Sequence, residues 1–540
     1  MRSPTNIAAH LSILSIQRPA QPALLSRHGV VTFLELEQRS NCCAQGLKEI
    51  GIQRGTRTVL MVTPGVEFLV LTFALIKLNA VLVLVDPGMG WHNVKKCLEE
   101  SKPEAFVGAP LTQMARILFG WGRGSVKICL TVGGFRPCSG FTFTQVMRQG
   151  ASGGKFAVEP SESDDAAAIV FTSGSTGRPK GVVYTHGMFS SQAALLRDSF
   201  QIEAGEVDLA TFPLFALFDP VLQMTTVFPE MDFTRPGKVD PLKIITPIQE
   251  YKVTHMFGSP ALLDRVSRYG KGQGIKLPTL RRVLSAGAPV PARVLNRFAA
   301  LLNPDAEIHT PYGATEALPV CSITNRELSG LLDNRPGQGV CIGPPLAGVH
   351  LAVIGIDDGP IPLWSEDLPV PAGEIGELVV WGPNVSTEYF GLPESNDLAK
   401  IKSPEGIRHR MGDLGWIDEE DRVWFCGRKS QRVTTPQGPL FTVACEGIFN
   451  EHPKVYRSAL VGVGKPPQQR PVLCVELEEG EKKDKGSSQL RQEILDLGAH
   501  DAQTKQIQTL LFHPSFPVDV RHNAKIFREQ LARWASKRVS

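Results

Sequence analysis

Between residues 31 and 135 the chain repeats one cadence, and that cadence leaves few folds open. Short apolar runs near residues 57–61, 81–85 and 105–108 are separated by segments of helical periodicity at 66–77 and 91–101. Strands of four to six apolar residues joined by helices of ten to fifteen are the pattern of parallel βαβ units, whose strands are buried on both faces. The cadence resumes over residues 239–266 and again at 281–289, which leads into a helix at 291–302 with Pro291 in its first turn. From 346 to 427 the texture changes to short β-type runs, 348–355 and 376–382, among many glycines and prolines, as in an antiparallel sheet. A hinge is expected near 427–438. Beyond it about a hundred residues carry their own pattern: a helix at 446–453, strands at 457–464 and 471–480, and helices at 489–500 and 525–538. The expected class is α/β: a large N-terminal domain with parallel βαβ subdomains and a β-rich subdomain, then a small α+β domain.

At 540 residues one hydrophobic core is not the default. The apolar region 66–88 invites a membrane test, but Lys77 and Asn79 interrupt it before about 18 apolar residues accumulate. A buried helix followed by a buried strand fits better, and the N-terminal residues read as an amphipathic helix rather than a signal peptide. A net charge of +3 makes no strong case for nucleic acid or membrane partners. Ten cysteines are scattered without zinc or disulfide spacing, which points to reduced thiols and a cytoplasmic setting.

One stretch cannot be core. The strand at 168–171 runs into Thr172-Ser173-Gly174-Ser175-Thr176-Gly177-Arg178-Pro179-Lys180-Gly181, too polar and too permissive in φ/ψ for an interior element. Its amides and hydroxyls can wrap an anion, with Lys180 adding a compact charge. The spacing is not that of a Walker A loop, because Lys180 lies six residues after Gly174 and precedes Gly181. The plain alternative for any isolated Gly/Ser run is a mobile surface loop.

In full order, the string resembles the signature loop of the adenylate-forming superfamily, which includes acyl- and aryl-CoA ligases, luciferases and peptide-synthetase adenylation domains. The resemblance implies ATP as substrate, an acyl adenylate as intermediate, an N-terminal domain over residues 1–427 and a mobile lid over 428–540. It extends along the chain. Tyr312-Gly313-Ala314-Thr315-Glu316 resembles the second core motif, in which Tyr312 would stack near adenine, Thr315 touch phosphate and Glu316 hold Mg²⁺. Read alone, Glu316 could equally cap a helix start. Gly287, Ala288 and Pro289 resemble the loop that lines the adenine. Asp413 resembles the acid that accepts both ribose hydroxyls, as a carboxylate can; by itself a Gly-Asp pair reads as a turn. Arg428 resembles the arginine that closes over ribose and phosphate, against a solvated linker arginine. Lys525, in a degraded version of the superfamily's C-terminal loop, resembles the catalytic lysine that offsets charge at the attacked phosphate; otherwise it is a surface lysine at the start of the last helix. His186 reads as a packed histidine.

Three departures narrow the comparison. In 213–220 Ala216, Leu217 and Phe218 replace the usual aromatic-or-histidine and glycine. Ser430 and Gln431 stand where most relatives have an aspartate, and the loop that follows is replaced by 434–441. With 310–320, 227–236 and 82–88, these resemble the β-lactone synthetases of bacterial long-chain olefin biosynthesis. That family adenylates a long-chain 2-alkyl-3-hydroxy acid and lets its own hydroxyl displace AMP. It implies an assembly with a thiolase-like condensing enzyme and a β-lactone decarboxylase. A medium- or long-chain acyl-CoA ligase is the alternative enzyme, and a non-catalytic nucleotide sensor the alternative class. Phe212, Leu214, Phe215, Leu217, Phe218, Met224, Met256 and Phe257 are candidates for the acyl pocket, each of which could also be core.

Overall fold

The computed structural model describes residues 5–151, 156–172, 179–332, 337–484, 487–518 and 526–539. Two seven-stranded sheets carry the βαβ cadence. In the first, the strands lie in the order Phe141–Thr142, Ile128–Thr131, Ala105–Gly108, Arg57–Met61, Val81–Leu84, Ala166–Thr172 and Lys180–Thr185. All pairings are parallel except the last, an antiparallel hairpin. In the second, the order is Glu307–His309, Arg282–Leu284, His255–Phe257, Val207–Leu209, Thr225–Val227, Pro22–Ser26 and Gly29–Thr32, again parallel until the final hairpin. The N-terminal segment thus supplies two strands to a sheet built mainly from residues two hundred positions later.

The helix Val66–Lys77 is buried almost all round, including Lys77. Its ammonium is 2.6 Å from Glu37 Oε2 and also donates to Ser40 Oγ and Asn41 Oδ1, so the charge that interrupts the apolar run sits paired inside the core. No helix among the described residues is long and apolar enough to cross a membrane. Helix Phe33–Glu49 starts at a capping box, with Thr32 Oγ1 accepting from the Glu35 amide and the Glu35 carboxylate accepting from the Thr32 amide. It packs on helix Phe143–Gly150 through Gly46 and Gly150. A β-carbon on Gly46 would stand 2.1 Å from Val146 O, and one on Gly150 1.8 Å from Cys42 O. His186, the first residue of helix His186–Ser199, is buried with Nε2 2.8 Å from Asn79 Oδ1, and burial lowers its pKa to about 4.

The β-rich region is a six-stranded sheet ordered Val340–Gly343, Val423–Arg428, Gly406–Ile417, Gly376–Trp381 and His350–Ile354, with Lys400–Ser403 also paired to Gly406–Ile417. Every pairing is antiparallel. Residue 428 ends a strand of this sheet. After it, Lys429 pairs with the buried carboxylate of Glu377 at 2.9 Å, and Arg432 pairs with Asp358.

In the C-terminal segment, strands Val455–Val463 and Arg470–Leu477 are antiparallel and Thr509–Phe512 joins them in parallel. That third strand was absent from the sequence reading, because four apolar residues flanked by polar ones carry no distinctive period. The helix expected at 446–453 runs over Thr442–Phe449, four residues earlier, since Thr442, Ala444 and Cys445 are buried along with Ile448 and Phe449. The last helix, expected from 525, is Arg528–Ser536. Residues 434–441, read as a loop, include the hairpin Val433–Thr435 with Gly438–Leu440.

Candidate active site

The first site element is the hairpin formed by Ala166–Thr172 and Lys180–Thr185. Its register pairs Thr172 with Lys180, so the lysine leaves the sheet where the Gly/Ser stretch returns. Ser173, Gly174, Ser175, Thr176 and Gly177 lie outside the described residues, as does the Thr172 side chain. Lys180 is half-buried and makes no hydrogen bond or ion pair among the described residues; its Nζ lies 4.8 Å from the centroid of the Tyr389 ring. Burial lowers its pKa, and the Glu316 carboxylate opposes that shift. A half-buried ammonium whose donors find no partner among the described residues is a site that an anion would satisfy.

The second element is another hairpin. Tyr312–Ala314 pairs with Ala317–Cys321, and Ala314 lies opposite Ala317, leaving Thr315 and Glu316 as a two-residue tip. This removes the helix-start reading of Glu316. Gly313 is required by close approach, since a β-carbon there would meet Ala317 O at 2.7 Å. The tip is fixed by hydrogen bonds from outside: Tyr184 Oη donates to Thr315 O at 2.6 Å, and the Ser386 amide to Glu316 O at 2.8 Å.

Residues 384–390 connect the two hairpins, and nothing in the sequence had marked them. Asn384 Nδ2 donates to Pro319 O, Val385 bridges Ala317, Val183 N donates to Glu388 O, and Phe390 N donates to Gly181 O. This strap carries Tyr389, whose hydroxyl donates to Glu316 Oε1 at 2.7 Å. Behind it lies a second lysine the sequence had not singled out. Lys400 is buried, with Nζ 5.3 Å from the Tyr389 centroid and donating to Ser386 O and Oγ at 2.6 and 3.0 Å. Burial pulls its pKa down to about 7; the Glu316 charge works against this and Lys180 reinforces it. Two ammonium groups and one carboxylate therefore converge on a single tyrosine. A sequence signal existed only in part: Tyr389 follows an apolar strand like any core aromatic, and Lys400 looks like a surface lysine.

The third element joins adjacent strands of the six-stranded sheet, where Asp413 is paired in register with Arg428. Arg428 Nη1 is 3.0 Å from Asp413 Oδ1, and Tyr312 Oη donates to Asp413 Oδ2 at 2.6 Å. Burial pushes the Asp413 carboxyl up, while Arg428 and the Tyr312 hydroxyl favour its ionised form. Oδ1 is buried and has ion-pair proximity to Arg428 but no well-directed hydrogen bond. An acceptor in that condition suits a hydroxyl pair supplied by a ligand. Asp413 is thus no free turn residue, and Arg428 is no solvated linker arginine.

Gly287, Ala288 and Pro289 follow strand Arg282–Leu284, with Gly287 at φ +93°. Gly287 and Pro289 are exposed, and just before them Ser285 keeps a buried hydroxyl without a partner. Lys525 lies outside the described residues.

The apolar candidates separate. Phe212, Phe215 and Phe257 form one ring cluster, with centroids 4.9 Å apart for Phe212–Phe215 and Phe215–Phe257. Phe212 is exposed and the other two half-buried. Leu214 packs at the margin of the main core, and Leu217, Phe218 and Met224 are buried within it. Met256, fully buried, belongs with Leu209, Val227 and Ile245 in a different core from its neighbour Phe257, because successive strand residues face opposite ways.

Comparison with known proteins gives the family. A family model described as AMP-binding enzyme matches residues 15–390. The chain belongs to the AMP-binding enzyme family. It is 46% identical over 549 residues to the olefin beta-lactone synthetase of Xanthomonas campestris pv. campestris, covering 98% of each chain. It is also 46% identical over 554 residues to that of Stenotrophomonas maltophilia, covering 99% of each. Among solved structures, ATP-bound MatB from Rhodopseudomonas palustris superposes with a TM-score of 0.78 at 22% identity over the full length of both chains. This AMP-binding enzyme is therefore an ATP-dependent, AMP-forming ligase, and its two parallel sheets and β-rich sheet are those of its structural neighbours.

Proposed function

We propose that this chain is an ATP-dependent β-lactone synthetase acting on a long-chain 2-alkyl-3-hydroxy acid. The carrying observation is full-length identity of 46% to two olefin beta-lactone synthetases. In this reading Lys180 meets the phosphates and Asp413 accepts the ribose hydroxyls. Gly287, Ala288, Pro289 and Tyr312 border the adenine. Glu316 offers one carboxylate for Mg²⁺; a single protein carboxylate suits that ion, which takes its remaining ligands from phosphate and water. When bound, Mg²⁺ neutralises charge on the phosphates. The acid's carboxylate oxygen attacks the α-phosphorus and pyrophosphate leaves. The substrate's 3-hydroxyl oxygen then attacks the activated carbonyl, its proton passes to solvent, and AMP departs as the four-membered ring closes. Intramolecular attack needs no second substrate channel. Phe212, Phe215 and Phe257 would line the entry of the alkyl chains. Residues 428–540 would act as the lid that brings Lys525 to the phosphate. Ten free cysteines fit a cytoplasmic enzyme, and the assembly with a condensing enzyme and a decarboxylase belongs to the same proposal.

The product tests this. With Mg-ATP, the 3-hydroxy acid and no CoA, mass spectrometry of the organic extract should find the β-lactone, with AMP and pyrophosphate in the aqueous phase. A CoA-dependent thioester as main product, without lactone, would make the chain an acyl-CoA ligase.

A further inference from the structure

Helix Pro110–Phe119 is inside out. Its inward residue Gln113 is fully buried, donating to Leu130 O at 3.0 Å and Phe106 O at 3.4 Å and accepting from Arg116 Nε at 3.0 Å. Its outward stripe is apolar: Leu111 is 75% exposed, Met114 47%, Ile117 53% and Leu118 78%. These positions fall on one side of the helix by spacing. The patch continues beyond the helix. Trp91, 58% exposed, stacks on Phe119 with centroids 5.1 Å apart and rings inclined by 20°. Phe135, 56% exposed, stands in the loop whose Gly133 abuts Pro110. A contiguous apolar surface of this kind marks an interaction site rather than ordinary scatter.

Charge identifies the partner. Residues 105–158 contain no Asp or Glu, although one residue in ten of the chain is acidic and about five would be expected there. The same stretch holds Arg116, Arg123, Lys127, Arg136, Arg148 and Lys155. Arg123, Lys127 and Arg136 are exposed. Of the acids that precede the helix, Glu104 pairs with Arg57 and Glu99 with Lys95. Exposed leucines with an aromatic margin, in a stretch of chain that carries cations and no acids, match the two layers of an anionic bilayer surface, apolar beneath and negative above.

We propose that this face docks the enzyme on anionic phospholipid membranes, with Leu111, Met114, Ile117, Leu118 and Trp91 entering the interface and Arg123, Lys127 and Arg136 meeting the headgroups. The attachment is peripheral, and it rests on the surface alone, whatever acid the active site accepts.

The test is co-sedimentation of the purified full chain with phosphatidylcholine vesicles and with vesicles that also contain phosphatidylglycerol. Wild type should bind the second kind and lose binding as salt screens the charges. A Leu111→Ser/Leu118→Ser variant and an Arg123→Glu/Arg136→Glu variant should each bind about tenfold more weakly or worse, with ATP-dependent pyrophosphate release from a water-soluble acid unchanged. All four side chains are exposed, so the substitutions remove no buried packing. Equal binding by wild type and variants overturns the proposal. So does an absence of vesicle binding together with a self-association, seen by sedimentation velocity, that the leucine variant dissolves; the face would then join copies of the chain.

Discussion

Among the described residues, a single hydroxyl holds the carboxylate of Glu316. Tyr389→Phe keeps the ring that Lys180 and Lys400 overlie and removes only the bond to Glu316 Oε1. Hydrogen bonds to charged groups are worth about 1.5–3 kcal/mol, so pyrophosphate release should fall about 10- to 100-fold and the Mg²⁺ requirement should rise, with thermal stability little changed. Titration of activity against Mg²⁺ checks this, and a wild-type profile would reduce Tyr389 to packing. Lys400 gives a pH signature instead. Its folded pKa, about 7, lies below the ordinary lysine value of 10.5. Below pH 7 it is charged in both states and its burial penalty is felt in full. Between 7 and 10.5 only the unfolded chain holds the proton, so the folded state gains as pH rises. Relative to Lys400→Met, wild type should therefore gain stability across that window in denaturant titrations; parallel curves would mean the ammonium is not desolvated. Lys180, Tyr312, Glu316, Asp413 and Arg428 were named from the sequence through motifs that resemble the adenylate-forming superfamily, since read alone Glu316, Asp413 and Arg428 each have a plainer reading. Tyr389 and Lys400 were not, since their importance arises from where a strap returns in space.

Among elements, the close approach of Phe33–Glu49 and Phe143–Gly150 depends on two glycines whose absent side chains let backbone meet backbone. Gly46→Ala should force the helices apart and cost about 1–3 kcal/mol, read as a lowered unfolding midpoint; an unchanged midpoint would show that the pair gives way easily. The parallel sheets were readable from period and punctuation, as their strands are buried on both faces. The short strand Thr509–Phe512 was not, nor was the hairpin with Thr315 and Glu316 at its tip, because pairing decides such details. The inverted helix Pro110–Phe119 misleads any reading by hydrophobic face, which would turn its leucines inward.

For the whole molecule, the proposed division of labour assigns ATP to residues 1–427 and the adenylation cation to the C-terminal segment. Lys525→Ala should cut adenylate formation about 10²- to 10³-fold, the scale of losing one preorganised electrostatic group. Nucleotide affinity measured by calorimetry should stay near wild type, because Lys180 and Asp413 remain. Undiminished carboxylate-dependent pyrophosphate release would remove Lys525 from the chemistry. The segment makes defined contacts in the present arrangement: Arg293, on helix Ala292–Ala299, pairs with Glu478 and donates to Tyr456 O at 2.9 Å.

The strap at 384–390 has a mechanical consequence. Because its backbone is hydrogen-bonded to both hairpins, Lys180 and Glu316 cannot separate without breaking several hydrogen bonds together. They form one rigid jaw. In the proposed reading, any opening of the enzyme swings other parts against that jaw, and a nucleotide gripped there keeps its alignment from one chemical step to the next while the groups around it are exchanged.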